Sequence, residues 1–135
     1  MGTYRTPTEK SKYYMPKEEY LTVIHFCRQY PAWLAELDLK TDPSRAITYD
    51  GDKVQTSNQR STTEDLAIRR VQLSGRVDLV EDTAKETDAI LWKWLIMGTC
   101  YGVPFYKLLQ MGIPCGKDLY YELRQRFYYG IGKRL

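Results

Sequence analysis

The sequence predicts an all-α protein, a small helical bundle with a long central helix and a C-terminal helix-turn-helix. Apolar residues recur at intervals of three and four along most of the chain, which is the spacing of one helix face. A heptad pattern runs from residue 66 to residue 84. Glycine and proline stand where the last two helices are expected to start and stop.

The first part of the chain predicts an arm, two helices and a loop. Residues 1–14 are polar, and we expect a flexible arm there. The first helix begins after Met15, with Pro16 at its first position, and Tyr30-Pro31 ends it. A short helix is predicted over 32–39. Residues 40–60 predict a long loop, with a small hairpin suggested at 49–53, because they hold Asp-Pro, Asp-Gly and few apolar side chains.

The long helix is predicted to open at Ser61, which forms a capping box with Glu64. Its heptad positions hold Leu66, Arg70, Leu73, Val77, Val80 and Ala84. This seam favours packing against the first helix of the same chain, and homodimerisation through the long helix is the alternative. A further apolar helix restarts at Thr87-Asp88 and is closed by Gly98. We take residues 15–100 as a helical scaffold and 101–135 as the helix-turn-helix, together forming one compact unit.

The C-terminal pattern predicts a helix from Pro104 to Met111, ended by Gly112, and a second helix from about 115–117 to Tyr129. A series spaced by four would hold the second helix to the domain: Leu119, Leu123, Phe127 and Ile131. In a helix-turn-helix, the start of the second helix meets base edges in the major groove of DNA. The residues in that position are Gly116, Lys117, Tyr120 and Tyr121, with Arg124 one turn further on. An ordinary helical hairpin with a solvated basic face is the alternative.

The charge distribution favours the DNA-binding interpretation. The chain has a formal net charge of +3, but residues from Tyr101 onward sum to +4 and the first hundred to about −1. A phosphate-binding surface needs such a local concentration of positive charge.

Several other classes of protein are excluded by what the sequence lacks. It has one histidine, no phosphate-binding loop and no dinucleotide fingerprint, so we expect neither an enzyme nor a cofactor. Its three cysteines are far apart, which argues against a disulfide framework or a metal site and favours reduced thiols. No apolar run has the length of a signal peptide or a membrane span. We therefore expect a cytoplasmic protein.

Three stretches resemble the phage late-gene transcriptional regulators of the RinA/ArpU type: 13–20, 61–70 and 112–127. The last is the most distinctive, with a Gly-Ile-Pro-Cys-Gly turn before a helix rich in Tyr and Arg. The resemblance implies a helix-turn-helix similar to sigma-factor region 4, which would bind promoter DNA in a bacterial host cell and help to recruit host RNA polymerase. It also implies the DNA-facing residues, namely Gly116, Lys117, Tyr120, Tyr121 and Arg124, with Arg126 and Lys133 meeting phosphates.

Two acidic residues depart from this pattern, since Asp118 and Glu122 lie inside the proposed reading helix. Asp118 can complement the helix dipole, and a carboxylate can accept a hydrogen bond from cytosine. The alternative function is that of a small phage protein that binds a host protein complex and inhibits or redirects it, as a polymerase adaptor or a defence-system inhibitor. Its exposed Tyr and Trp side chains would then be the anchors of a protein interface.

Overall fold

The structure of the protein is a computed structural model that describes residues 10–41 and 59–135, and of residues 39–41 and 59–62 it describes the backbone. The described residues form helices and no strand, so the all-α prediction is confirmed. The helices are α1 (Lys17–Arg28), α2 (Tyr30–Thr41), α3 (Gln59–Thr87), α4 (Trp92–Thr99), α5 (Phe105–Met111) and α6 (Lys117–Arg134). None of them is both long enough and apolar enough to cross a membrane.

The boundary between α1 and α2 is tighter than the sequence predicts. α1 ends at Arg28, and α2 begins at Tyr30, so Pro31 lies in the first turn of α2 instead of in a connecting loop. Proline is tolerated there because the first N–H groups of a helix have no partner within the helix. The amide of Trp33 donates to the carbonyl oxygen of Gln29 at 3.0 Å, which links the two helices without a loop.

The loop predicted at 40–60 is shortened at both ends. Residues 40–41 continue α2, and α3 already begins at Gln59. Ser61 therefore lies inside the helix, and the prediction that it caps the N-terminus is wrong. The remainder of that stretch, including the hairpin predicted at 49–53, lies outside the described residues.

The long helix α3 is the centre of the bundle, and its main partners are α2, α4 and α6. The prediction that it packs chiefly against α1 is wrong, because α1 lies instead on α6, α2 and α4. The C-terminal part of the heptad seam is buried within the chain: Leu73, Val77, Val80 and Ala84. Leu66 and Arg70 are exposed. A second copy of the chain therefore cannot pair along the seam from Leu73 onward.

The connection from α3 to α4 is held by one carboxylate. Oδ1 of Asp88 accepts hydrogen bonds from the amides of Ile90 and Leu91, both at 2.8 Å. Leu91 is buried as a result, whereas Ile90 points to solvent and is 80 % exposed. The predicted restart at Thr87-Asp88 thus corresponds to a tight turn before α4.

α1 and α4 meet at two adjacent residues of α1, Cys27 and Arg28. The thiols of Cys27 and Cys100 are buried, and the neighbouring Cys100 thiol together with burial raises the pKa of Cys27. Nε of Arg28 donates to the carbonyl oxygen of Thr99 at 3.2 Å. Because Thr99 is the last residue of α4, this guanidinium also meets the negative end of the helix dipole.

Candidate nucleic-acid interface

The turn between α5 and α6 begins with a Schellman motif. Gly112 has a φ of 102°, and its amide donates to the carbonyl oxygen of Leu109. The amide of Ile113 donates to the carbonyl oxygen of Leu108 at 3.0 Å, and both of these side chains are buried. Only glycine adopts this left-handed conformation at little cost, so the prediction that Gly112 ends α5 is confirmed. α5 begins one residue after Pro104, which is its N-cap.

α6 begins at Lys117 and continues to Arg134, five residues beyond the predicted end at Tyr129. Gly116 is its exposed N-cap and has an extended backbone with a φ of −86°. A Cβ atom added at Gly116 would meet nothing within 4 Å, so the fold itself does not require glycine there. Lys117 and Asp118 are exposed in the first turn, where the carboxylate complements the helix dipole.

The inner side of α6 is the core of the bundle. Leu123, Phe127 and Ile131 are buried as predicted, whereas Leu119 is 45 % exposed and does not join them. Tyr120 is 3 % exposed, so its side chain lies in the core and not on the surface that we expected to face DNA. Its ring packs against that of Phe105 of α5, with the ring centroids 5.3 Å apart. Tyr120 therefore positions the helix-turn-helix and is not available for base contacts.

A glycine of α4 makes room for Tyr120. A Cβ atom added at Gly98 would lie 1.8 Å from Oη of Tyr120 and 3.5 Å from Cδ1 of Leu108. α4, α5 and α6 thus meet at this one point. Burial raises the pKa of Tyr120 to about 12.

The remaining predicted residues fall on two flanks of α6, because successive residues are rotated by about 100° around a helix. Lys117, Tyr121 and Arg124 are spaced by four and three, so they share one flank. Arg126 and Lys133 are spaced by seven, and they lie about half a turn around the helix from the first group. The structure therefore separates residues that the sequence analysis placed together.

The strip between the two flanks holds Asp118, Glu122 and Gln125, which follow the same four-and-three spacing. Asp118 and Glu122 are exposed, and Gln125 is half-buried. Sequence reasoning treated the two acids as departures from the pattern and did not consider Gln125. Their spacing was visible in the sequence, but the buried side of α6 had to be known before this strip could be recognised as its outward face.

Arg124 occupies an unusual position on the first flank. Its Cζ atom lies 4.6 Å from the ring centroid of Tyr121, and its Nε atom is buried without a hydrogen-bond partner. Its positive charge acts on three further tyrosines, opposing the rise in pKa that burial gives to Tyr20, Tyr120 and Tyr128. One tyrosine thus contacts the guanidinium, and three others lie near enough for its charge to act on them.

The N-terminal segment packs on the C-terminal end of the strip, because Tyr129 continues the four-and-three spacing of Glu122 and Gln125 next to Lys133 of the second flank. The ring of Tyr129 lies 5.7 Å from that of Tyr13, and Nζ of Lys133 lies 4.9 Å from the Tyr129 centroid. Nζ of Lys12 lies 5.4 Å from the Tyr13 centroid. The described end of the predicted arm is therefore packed on α6 and adds a cation to it. Sequence reasoning missed this contact because no local pattern relates Tyr13 to Tyr129.

The cations on the two flanks have no acidic partner in the part of the chain that the structure describes. No carboxylate of the described residues lies within ion-pair distance of them: Lys117, Arg124, Arg126 and Lys133. By contrast, Arg134 pairs with Glu86 and donates to Thr83, both on α3. Arg69 pairs with Glu36 at 3.1 Å. The unpaired cations can therefore accept an anion from outside the chain.

Comparisons of this chain with protein-family models, with curated proteins and with solved structures find no match. No group of three or more metal-ligating side chains occurs in residues 10–41 and 59–135 that could hold a metal ion. The candidate functional site of the described residues is the outward face of α6.

Proposed function

We propose that the protein binds double-stranded DNA through α5 and α6 and acts as a phage transcriptional regulator. The observation that carries the proposal is the pair of flanks on α6, each with cations that have no acidic partner among residues 10–41 and 59–135. In a major groove, base edges lie at the centre and phosphates line both sides, so a reading helix needs cations on its two flanks and polar groups between them. α6 has this order of side chains.

The strip between the flanks has the chemistry of base recognition. A carboxylate accepts a hydrogen bond from the amino group of cytosine, and a glutamine side chain can form two hydrogen bonds with adenine. Asp118, Glu122 and Gln125 would take these roles, while Lys117, Arg126 and Lys133 would meet phosphates. Because the two acids lie between the two flanks of cations, they would face the base edges, while the cations on either side would face the phosphate backbone. Their presence in the reading helix is then a source of specificity.

The experiment is a fluorescence-anisotropy titration of the full chain with duplex DNA over a range of salt concentrations. The duplex is selected by binding from a mixed pool. Replacing both Lys117 and Lys133 with Gln removes one exposed cation from each flank. We expect the slope of log K against log salt to fall in magnitude by about 1.8, since each phosphate contact contributes about 0.9.

The matched control replaces Lys85 and Lys93 with Gln. These two lysines are exposed on α3 and α4, so the net charge changes equally while α6 is untouched. The control should keep the slope of the unmodified chain. The proposal fails if the chain binds no duplex, or if its affinity for the duplex does not change with salt. It also fails if the two double variants show the same decrease in the slope of log K against log salt.

A second function is favoured by α5, whose outer surface is apolar. Tyr106, Leu109 and Met111 are 61 %, 54 % and 57 % exposed, and such a surface suits a protein partner better than a phosphate backbone. The partner would be host RNA polymerase recruited to the bound promoter. Alternatively, the protein would bind a host complex directly and inhibit or redirect it. A chain that binds purified bacterial RNA polymerase but no duplex at low salt would favour this second function over the first.

A further inference from the structure

We infer that Arg124 is a phosphate anchor, and that it grips one backbone phosphate of the nucleic acid instead of reading a base. The inference rests on the proposed function, because it assumes that the outward face of α6 binds a polyanion. It reassigns Arg124, which sequence reasoning placed among the residues that meet base edges.

The first step is that, among the residues that the structure describes, Arg124 has no counter-ion. Its guanidinium is half-buried, and its Nε atom is buried without a hydrogen-bond partner. No carboxylate of the described residues is within ion-pair distance of it. A buried charge is costly unless it is paired. An anion supplied from outside would pair with this guanidinium and lower that cost.

The second step is that the tyrosines around Arg124 cannot supply the missing charge. Burial raises the pKa of Tyr20, Tyr120 and Tyr128, so their hydroxyl groups stay neutral at physiological pH. They are buried and lie near enough for the guanidinium charge to act on them, so its neighbourhood on the protein side includes aromatic carbon and neutral hydroxyl groups. Such surroundings weaken the competition from water and strengthen the attraction between the guanidinium and an incoming anion.

The third step is geometric. The guanidinium carbon lies 4.6 Å from the centroid of the Tyr121 ring, so the group rests against a side chain of its own helix. A long, free arginine can follow a base edge into the groove, but this contact keeps Arg124 beside α6. Its position on the flank, away from the Asp118, Glu122 and Gln125 strip, is where a phosphate of the groove wall would lie. A guanidinium held in one orientation suits a phosphate, which offers it two oxygens.

The test uses the full chain and compares the salt dependence of binding for Arg124→Gln with that of the unmodified protein. We expect the slope of log K against log salt to fall in magnitude by about 0.9. The ratio of the affinity of the unmodified protein to that of Arg124→Gln should then decrease by about 3.5-fold between about 50 and about 200 mM salt. The loss should be the same for the selected duplex and for a duplex of scrambled sequence, because a phosphate contact carries no sequence information.

Two further variants keep the test decisive. Arg124→Lys keeps the charge but not the planar fork, so it should keep the slope and bind more weakly. Arg69→Gln removes a guanidinium that pairs with Glu36, and it should change neither slope nor affinity. Circular dichroism of each variant checks that the helices remain.

The outcomes separate the inference from the function on which it rests. A folded Arg124→Gln variant with an unchanged slope overturns the anchor. A variant that loses its preference for the selected duplex also overturns it, because Arg124 would then read a base. Failure of the unmodified chain to bind any duplex refutes the proposed function itself.

Discussion

The inner and outer sides of α6 differ in how their charged groups are satisfied. Lys133 and Arg134 are neighbours in the sequence, yet Arg134 reaches α3 and pairs with Glu86, while Lys133 rests on the ring of Tyr129. The charge that faces the bundle is neutralised by the bundle. The cations that face outward have no carboxylate of residues 10–41 and 59–135 within ion-pair distance. This difference, and not the total charge of the protein, is what supports the proposed function.

The largest effect that would sharpen this comparison is expected at high pH on the inner side. Burial raises the pKa of Tyr120 from an ordinary value of about 10 to about 12. The folded state therefore holds this proton more tightly than the unfolded state. The contribution of Tyr120 to the free energy of unfolding is fully present below pH 10 and is lost as pH rises toward 12. The loss due to Tyr120 reaches about 2–3 kcal/mol at pH 12 and about half of that at pH 11.

Urea unfolding at pH 9 and pH 11 measures this loss. Tyr120→Phe cannot ionise, so its stability should fall less between the two values than that of the unmodified protein. Tyr106→Phe, which changes an exposed tyrosine of α5, is the matched control and should follow the unmodified protein. If Tyr120→Phe loses as much stability as the unmodified chain, Tyr120 is not the buried residue that the structure shows.

The next effect concerns the contact between α4 and α6. Gly98→Ala places a methyl group 1.8 Å from Oη of Tyr120, so one of the two helices must shift. Overpacking of this kind costs about 1–3 kcal/mol, and the better helix propensity of alanine offsets part of it. We expect a net loss of about 1–2 kcal/mol in the free energy of unfolding. A double variant with Tyr120→Phe should recover part of it, and purely additive effects would contradict the contact.

The smallest effect is expected for the two neighbouring cations. Arg134→Gln should lower the free energy of unfolding by about 0.2–1 kcal/mol, because its ion pair with Glu86 is largely exposed to solvent. Lys133→Gln should change stability by less than about 0.5 kcal/mol, since Lys133 is exposed and its contact in the described residues is with the ring of Tyr129 and not with a carboxylate. Their effects on DNA binding should be in the opposite order. If Lys133→Gln lost more stability than Arg134→Gln, the distinction between an inner cation paired by the fold and an outer cation without a carboxylate partner would be wrong.

The start of α6 could be predicted from the sequence, because its signals are local. Gly112 supplies the left-handed residue that the Schellman motif needs, and Pro104 fixes the entry to α5. The far end of α6 could not be predicted. Gly130 and Gly132 suggest a helix end, but they lie within α6 where it approaches other elements closely. A Cβ atom at these positions would come within 3.0 Å of Thr83 and 3.1 Å of Met15.

The candidate site was predicted only in part. The position of α6 and the spacing of its cations follow from local sequence signals, and their role in DNA binding stays a prediction. The position of Tyr120 does not, because it depends on a glycine of α4 that lies 22 residues away in the sequence. Nor does the contact between Tyr13 and Tyr129. Periodicity shows that a helix has two sides, but packing decides which side is outward, and packing is a property of the whole chain.

Because Cys27 and Cys100 are buried where α1 meets α4, the rate at which they are alkylated reports how often these two helices separate. Both thiols are inaccessible while α1 rests on α4, whereas Cys115 in the turn before α6 is partly open to solvent. An alkylating reagent would therefore reach the turn first and the α1–α4 seam only when that seam parts. The ratio of the labelling rates of Cys115 and of the buried pair measures how often the contact between α1 and α4 opens. If DNA binds only the closed bundle, adding DNA should slow the labelling of Cys27 and Cys100, because such a ligand makes the openings rarer.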